Sequence, residues 1–559
     1  MPLRVRNDAI FCLEFSHEKQ DDFIPYECVI PELVYRKAKS NRTAFVFDSE
    51  KLSFHFSGLK TEMEALAAGF LAVGFVPNDR ILIAGYNHHS VLIAVLAAAR
   101  AGICFSLVGP NMSSSELEHY CISGGFKGVL LFAPNGSSDV SYNLVLDVCP
   151  ELKGSHRGKL TAKALPALKI VILGDEDHKH SGCWTLSEVF GKCTKPRLEK
   201  LPNYKEWNPH KMAAVQFTLG STGPPKACGL THYQLINACR IVANTMGITK
   251  ETVLACALPL YRIPVFCLVA FTPFFFESCT IISEPSPIPR FLFASINKYS
   301  CTHLLSNAVA MRLLIKTGTL QKTKLPTVQT AILLGDRVSG ELLMSIERLM
   351  PNAKHIAVGM LLTEIGLPIL SDKSTNLLRQ AGKTLQGFAV DVQPVDKLWG
   401  TNGAQVGELR VWALEKTKFL GYGPEFNAFT DFVETGDIAS ISREGNVEII
   451  TNKADLMYDR KDNLVKHWEI ERELAGCESI KGVQVLQICH GAPVVAVVVP
   501  KAKTYKPLEI KTDVIAFCRN NRLVQPDFVA CVEDFPRANT RLQKWKLREW
   551  IKAKRLVLY

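Results

Sequence analysis

The spacing of apolar and polar positions changes repeatedly along the first two-thirds of the chain. "RILIAGY" (80–86) is a short unbroken apolar run, the pattern of a buried strand. "SVLIAVLAAARAG" (90–102) follows as a helix, and "ICFSLV" (103–108) returns to strand. A helix opened by Ser115 comes next, with Glu118 three residues on, the spacing of a capping box. "GVLLF" (128–132), "LKIVILG" (168–174) and "AAVQFT" (213–218) predict further strands. This alternation predicts an α/β fold with layered, largely parallel sheets. From about residue 380 shorter strands and glycine turns take over ("VGELRVWA", "FLGYG", "NVEII"), predicting a β-rich subdomain. A charged, irregular stretch, 451–469, reads as a boundary, after which strands and helices mix again. The division expected is a large N-terminal domain, 1–450, of layered α/β subdomains plus the β-rich one, and a small mobile C-terminal α+β domain, 451–559.

Composition narrows the classes. Of 559 residues 47% are hydrophobic, ample for large cores. The net charge of +11 suits anionic small molecules and is too dispersed to argue for nucleic acid. The 17 cysteines include no CxxC pair, and His and Cys nowhere cluster at metal-ligand spacing; the cysteines read as small buried apolar residues in a reducing compartment. No apolar run reaches membrane-spanning length. The strongest, Ile263 to Phe276, carries Pro264 and Pro273 and reads as a buried core segment. The first residues soon meet Asp8, Glu14 and Glu18, which argues against a signal peptide and only weakly supports a transit peptide, whose composition should be acid-poor.

"FTLGSTGPPKACGLTH" (217–232) holds the densest candidate chemistry. Gly220 and Gly223 free the backbone to approach an anion, Thr218, Ser221 and Thr222 offer hydroxyls, and Lys226 offers a mobile charge. A strand leads in; a helix is expected to lead out and to add its N-terminal dipole. The standard P-loop needs Gly before the lysine and Ser or Thr after it, where this chain has Pro225 and Ala227. Taken alone, such a loop is more often a plain turn.

In order and spacing, however, the loop resembles the phosphate loop of the AMP-forming acyl-adenylate ligase superfamily, TSG(S/T)TGxPKG, and the likeness extends over nearly the whole chain. "GFLAVGFVPNDRILIAGYN", "SSSELEHY", "YNLVLDVCPEL" and "QKWKLRE" look like the medium-chain acyl-CoA ligases usually found in mitochondria, against a cytoplasmic alternative. "LPLYRIP" (258–264) stands at the LPLFH-like segment, "LLTEIG" (361–366) at YGxTE, "ETGD" (434–437) at WxxTGD, and "TNKADLM" (451–457) at the GRxKDxI hinge. "FPRANTRLQKWKLRE" (535–549) stands at the C-terminal PxTxxGKxxKxxLR motif. The resemblance implies ATP, Mg²⁺ and coenzyme A as cofactors and a small carboxylic acid as substrate. It implies that Lys226 and the loop hydroxyls hold the β- and γ-phosphates, that Thr363 touches the α-phosphate, that Glu364 holds Mg²⁺, and that Asp437 binds the ribose. Tyr261 and Arg262 fall beside the acyl pocket, whose walls are expected from Tyr261 to Phe276 and Val309 to Leu314.

Departures from the pattern are as specific as the matches. Leu219 replaces a loop serine and Ala227 a glycine. Met360 or Leu361 stands where an aromatic and a glycine flank adenine. Arg262 replaces a histidine, Asn452 the ribose-holding arginine, and Ala454 a polar hinge residue. Lys461 and Asp462 occupy a stretch that is glycine where pantetheine passes. Thr540-Arg541 stands for Gly-Lys, whose lysine bridges the acyl carboxylate and the α-phosphate; Arg541 keeps the charge on a differently shaped stem. Three readings stay open: an acyl-CoA ligase, activity possibly reduced by these changes; a pseudoenzyme that binds nucleotide, acyl ligand or a partner; and an adenylating enzyme without transfer to coenzyme A.

Overall fold

A computed structural model describes residues 24–559 except 221–222, 287, 336–337, 339, 372–380, 396–397, 399–402, 413–417, 460–461, 503–504 and 539–540. Of 320–321, 340–341, 381, 538 and 541 it describes the backbone only. Ser221, Thr222, Lys461 and Thr540, and the N-terminal segment weighed as a leader, therefore lie outside the described residues, as does the Arg541 side chain.

The fold is α/β, as the alternation predicts. Seven strands form one sheet in the order Trp184–Thr185, Ile170–Leu173, Gly128–Leu131, Arg80–Ala84, Cys104–Val108, Met212–Phe217 and Ala227–Thr231. All neighbours are parallel except the last pair. Its central strands are buried on both faces, which is why they read as unbroken apolar runs rather than alternating ones. A second sheet has thirteen strands. Its parallel part runs Thr43–Phe47, Cys279–Ile282, Val253–Cys256, His303–Ser306, Thr330–Leu334 and His355–Leu362. Beyond it the sheet turns antiparallel through Gly366–Ser371 and Ala381–Thr384 to the later strands Val447–Asn452, Phe432–Ile441, Gln405–Trp412 and Ala389–Pro394. Those later strands are the β-rich texture seen in the sequence. The C-terminal part has a separate three-stranded sheet (Ile480–Leu486, Val495–Pro500, Phe528–Cys531) with helices His467–Leu474, Pro507–Asn520 and Lys544–Lys552.

Between the two large sheets lies Ile263–Phe276, a helix apolar on every side. A helix with no polar face must be covered all round, and Phe266 and Phe271 are fully buried. Each such phenylalanine contributes about 1.5–3 kcal/mol of burial free energy. Its first turn is fixed by Gln216, whose Oε1 accepts from the Ile263 amide at 2.6 Å. Among the described residues no helix is long and apolar enough to cross a membrane, and every described cysteine is a free thiol.

Two local expectations are corrected. The capping box is formed by Ser113 and Glu116, two residues earlier than Ser115 and Glu118. Ser113 has the extended backbone a cap requires, and its hydroxyl accepts the Glu116 amide at 3.2 Å. The phosphate-loop candidate is followed by a strand, Ala227–Thr231, and only then by the helix His232–Thr245. It is therefore the tip of an antiparallel hairpin, and the dipole of that helix begins a strand's length away. The run "ACGLT" is buried at every position, and its antiparallel pairing with Met212–Phe217 decides for strand.

Candidate active site

The hairpin tip is tied at its base. Thr218 donates its amide to the Lys226 carbonyl at 3.0 Å, and the Lys226 amide donates to Thr218 Oγ1 at 3.0 Å. The Thr218 hydroxyl acts here as acceptor and keeps its own proton to donate. Gly220 has φ +64, and a Cβ there would sit 2.8 Å from the Gly223 carbonyl oxygen; the turn is glycine's for both reasons. His119 Nε2 donates to the Pro225 carbonyl at 2.6 Å and props the tip from the helix Ser114–Gly124. Ala227 is buried, and its methyl faces Gly423, where a Cβ would approach it to 3.1 Å. The alanine that replaces the motif's glycine thus rests against another glycine.

A cleft of about 490 Å³ opens beside this tip. Thr218, Gly220, Lys226, Arg262, Thr363, Glu364, Asp437 and Asn452 all line it. They come from five stretches: the ends of the strands Met212–Phe217 and His355–Leu362, the start of the helix Ile263–Phe276, and the antiparallel strands Phe432–Ile441 and Val447–Asn452. Ligands in open α/β sheets bind at such carboxyl ends. Gly223 and Tyr261 do not line the cleft. Tyr261 is half-buried against Gly109, where a Cβ would meet its ring at 3.2 Å.

Glu364 is positioned from both ends. Its carbonyl accepts the Gln234 side-chain amide, and its carboxylate accepts the Tyr422 hydroxyl at 2.9 Å. One hydrogen bond fixes the carboxylate and uses one of roughly four acceptor sites, so the group fits a divalent cation. Tyr422 reaches it because Gly421 and Gly423 pair along the strand Ala227–Thr231: the Gly229 amide donates to Gly421 at 3.2 Å and the Gly423 amide to Ala227 at 2.8 Å. The same ring lies under Lys226, with Nζ 4.6 Å from its centroid, a cation–π contact. Burial and the Glu364 carboxylate both raise the Tyr422 pKa, so its proton stays on. Asp437 pairs with Asn452 across the ladder, and Asn452 Nδ2 donates to Asp437 Oδ1 at 3.2 Å. The asparagine that stands at the motif's arginine thus holds the Asp437 carboxylate.

Beside Asp437 a smaller cavity of about 170 Å³ is lined by Gly335, Gly359, Met360, Leu361 and Ile449 among others. A largely apolar cavity of about 30 Å³ lies between the helices His232–Thr245 and Ile263–Phe276, with Leu235, Ala238, Leu268, Ile365 and Leu367 in its walls and Gln234 and Thr363 at its polar side. None of Val309 to Leu314 lines it; Met311 and Leu314 belong to a different buried cluster.

The chain matches the AMP-binding enzyme family over residues 34–414. It belongs to that family. Among AMP-binding relatives it is similar to the mitochondrial medium-chain acyl-CoA ligase ACSF2 of Rattus norvegicus, 25% identical over 91% of this chain and 85% of that one. It is also similar to the putative acyl-CoA synthetase YngI of Bacillus subtilis, 23% identical over 92% and 94%. The fold resembles ATP-bound MatB of Rhodopseudomonas palustris, with a TM-score of 0.75 and 19% identity over 94% of this chain and 99% of that one. It equally resembles the anthranilate CoA ligase AuaEII in complex with anthranoyl-AMP, with a TM-score of 0.75 and 13% identity over 95% and 99%.

The C-terminal segment reaches the same cleft. Arg537–Ala538 pairs with Arg541–Leu542 in a small hairpin. Just past it, Trp545 Nε1 donates to the Gly220 carbonyl at 2.8 Å, with Gln543 Nε2 at 3.4 Å from the same oxygen. Lys544 pairs with Glu471 at 2.8 Å, and Arg548 with Asp455 at 2.6 Å, tying this helix to the hinge stretch. Tyr422, Gln234 and Trp545 were missed by motif reading because each acts through a partner far along the chain. The expectation that histidines nowhere cluster is also corrected: Glu50 with His88 and His89, and Asp139 with His178 and His180, each bring three ligand atoms within 4.8 Å of one another. His178-Lys179-His180 was the signal in the second case.

Proposed function

We propose that the chain is an ATP-dependent, AMP-forming ligase that activates a carboxylic acid as acyl-AMP and passes the acyl group to coenzyme A. The observation that carries this reading is the convergence of Thr218, Lys226, Thr363, Glu364 and Asp437 on one cleft. In the proposal the loop amides, Ser221, Thr222, the Thr218 hydroxyl and Lys226 bind the β- and γ-phosphates. Thr363 donates to the α-phosphate, and the base enters the cavity beside Met360 and Leu361 with the ribose on Asp437. Arg262 meets the acid's carboxylate. Glu364 would hold Mg²⁺, which when bound neutralises phosphate charge and eases departure of pyrophosphate. Arg541 takes the position of the lysine that bridges the two reactants, on the C-terminal domain that we take to begin at residue 451. The name of the rat relative motivates a medium-chain acid and a mitochondrial location. A cavity of about 30 Å³ favours a shorter tail: it holds roughly one water, and about 150 Å³ is needed for benzene.

The test is incubation of the pure protein with ATP, Mg²⁺, coenzyme A and acids graded in length, with AMP and acyl-CoA measured. Acid-dependent AMP and acyl-CoA lost in Lys226→Ala are expected. No product above that variant for any acid would sink the proposal. The Asn452–Asp437 bond favours a second reading, nucleotide binding without turnover, which ATP binding by calorimetry without AMP release would reveal.

A further inference from the structure

The structure assigns a binding site for a zinc-class divalent cation to Asp139, His178 and His180, away from the cleft. Asp139 stands in the first turn of the helix Ser138–Val148, and the two histidines stand on the loop between Ile170–Leu173 and Trp184–Thr185. Asp139 Oδ1 lies 3.0 Å from His178 Nε2 and 3.6 Å from His180 Nε2. Zinc takes histidine nitrogen and carboxylate oxygen at about 2.0–2.2 Å, and two such arms at roughly 90–120° subtend about 3.0–3.6 Å.

The surroundings fit ligation. Asp177 Oδ2 lies 3.4 Å from His178 Nδ1. Without an ion Nε2 donates to Asp139; an ion that displaces that proton leaves the ring's other proton on Nδ1, facing Asp177, the arrangement that supports metal-bound histidines. Asp177 is itself held by the Ser138 amide at 3.1 Å. The His180 side chain is only 7% exposed, stacked on Tyr142 with centroids 4.3 Å apart, and its Nε2 lies 2.8 Å from Ser138 Oγ. Ligation replaces that hydroxyl contact. Asp139 and His178 are about half exposed, which leaves an open face for entry and for a water as fourth ligand.

The other histidine cluster is built differently. His88 Nδ1 accepts the Ser90 amide, so its proton is on Nε2 and points at Glu50, 2.9 Å away. An ion displacing that proton would move it to Nδ1, against the Ser90 N–H, so this histidine is not set up as a ligand.

The full chain, stripped of metal with a chelator, is titrated with Co²⁺ and then Zn²⁺ against a chromophoric competitor. Uptake of one equivalent of Co²⁺ with a four-coordinate visible spectrum, displaced by Zn²⁺, is expected. His178→Ala and Asp139→Asn, both at half-exposed positions, should abolish uptake, and Asp177→Asn should weaken it by roughly 10–100-fold. Glu50→Gln should leave it unchanged. No uptake by the natural chain, uptake unaffected in His178→Ala and Asp139→Asn, or loss of uptake in Glu50→Gln would each overturn the assignment. Circular dichroism of every variant separates loss of the site from loss of the fold.

Discussion

Replacing Trp545 with Phe removes one N–H and keeps most of the ring. That N–H donates to the Gly220 carbonyl at 2.8 Å, the shorter of the two hydrogen bonds the C-terminal segment makes to that carbonyl. A neutral hydrogen bond of this kind contributes about 0.5–1.5 kcal/mol net, so the population in which the segment has left the loop should rise by roughly 2- to 13-fold. Gln543, at 3.4 Å from the same oxygen, is too long to replace it. Hydrogen exchange reads this directly, because exchange through a fast opening tracks the open population. Amides of residues 541–546 and the tied amides of Thr218 and Lys226 should exchange faster by that factor. Those of the strand Arg80–Ala84 should not change. Unchanged exchange at 541–546 would refute the latch, and faster exchange everywhere would show that the substitution acts on global stability instead.

Burial pushes the Glu50 carboxyl up, but the hydrogen bonds from His88 and His89 outweigh it and hold the pKa down at about 2. A depressed folded-state pKa gives stability that is present above the ordinary value near 4.5 and lost as pH falls toward 2. Between about pH 5 and pH 3.5 the loss is about 1 kcal/mol, and Glu50→Gln should remove that part of the acid dependence of the urea midpoint; an unaltered slope would contradict it. Leu268→Ala, in the wall of the apolar cavity, should cost roughly 2–5 kcal/mol of stability without ligand. It should also shift kcat/KM toward longer acids by about tenfold or more per added methylene, and an unmoved length optimum would discard the cavity as the tail's site.

The strands were legible because burial on two faces writes a continuous apolar run, as at Arg80–Ala84 and Ile170–Leu173. The hairpin exit of the candidate phosphate loop was not. "ACGLT" has neither the length nor the period that separates strand from helix, and only the pairing of Ala227–Thr231 with both Met212–Phe217 and Gly421–Gly423 decides it. Candidate site residues in the resemblance motifs could be named from order alone. Tyr422 could not, because its role rests on touching Lys226 and Glu364 from separate stretches. The capping box was misread by two residues because "SSSELE" offers three serines, and backbone geometry, not composition, chooses among them.

The ladder that pairs Asp437 with Asn452 carries one further consequence. A register shift lies between Ile438 and Ala439, and a shift of one residue turns every side chain of a strand to its other face. The turn that joins these strands, 442–446, is therefore fixed in length: insertion or deletion of a single residue there would carry Asn452 away from the cleft while leaving every side chain chemically intact. Descendants of this chain can exchange residues around Asp437 more readily than they can gain or lose one.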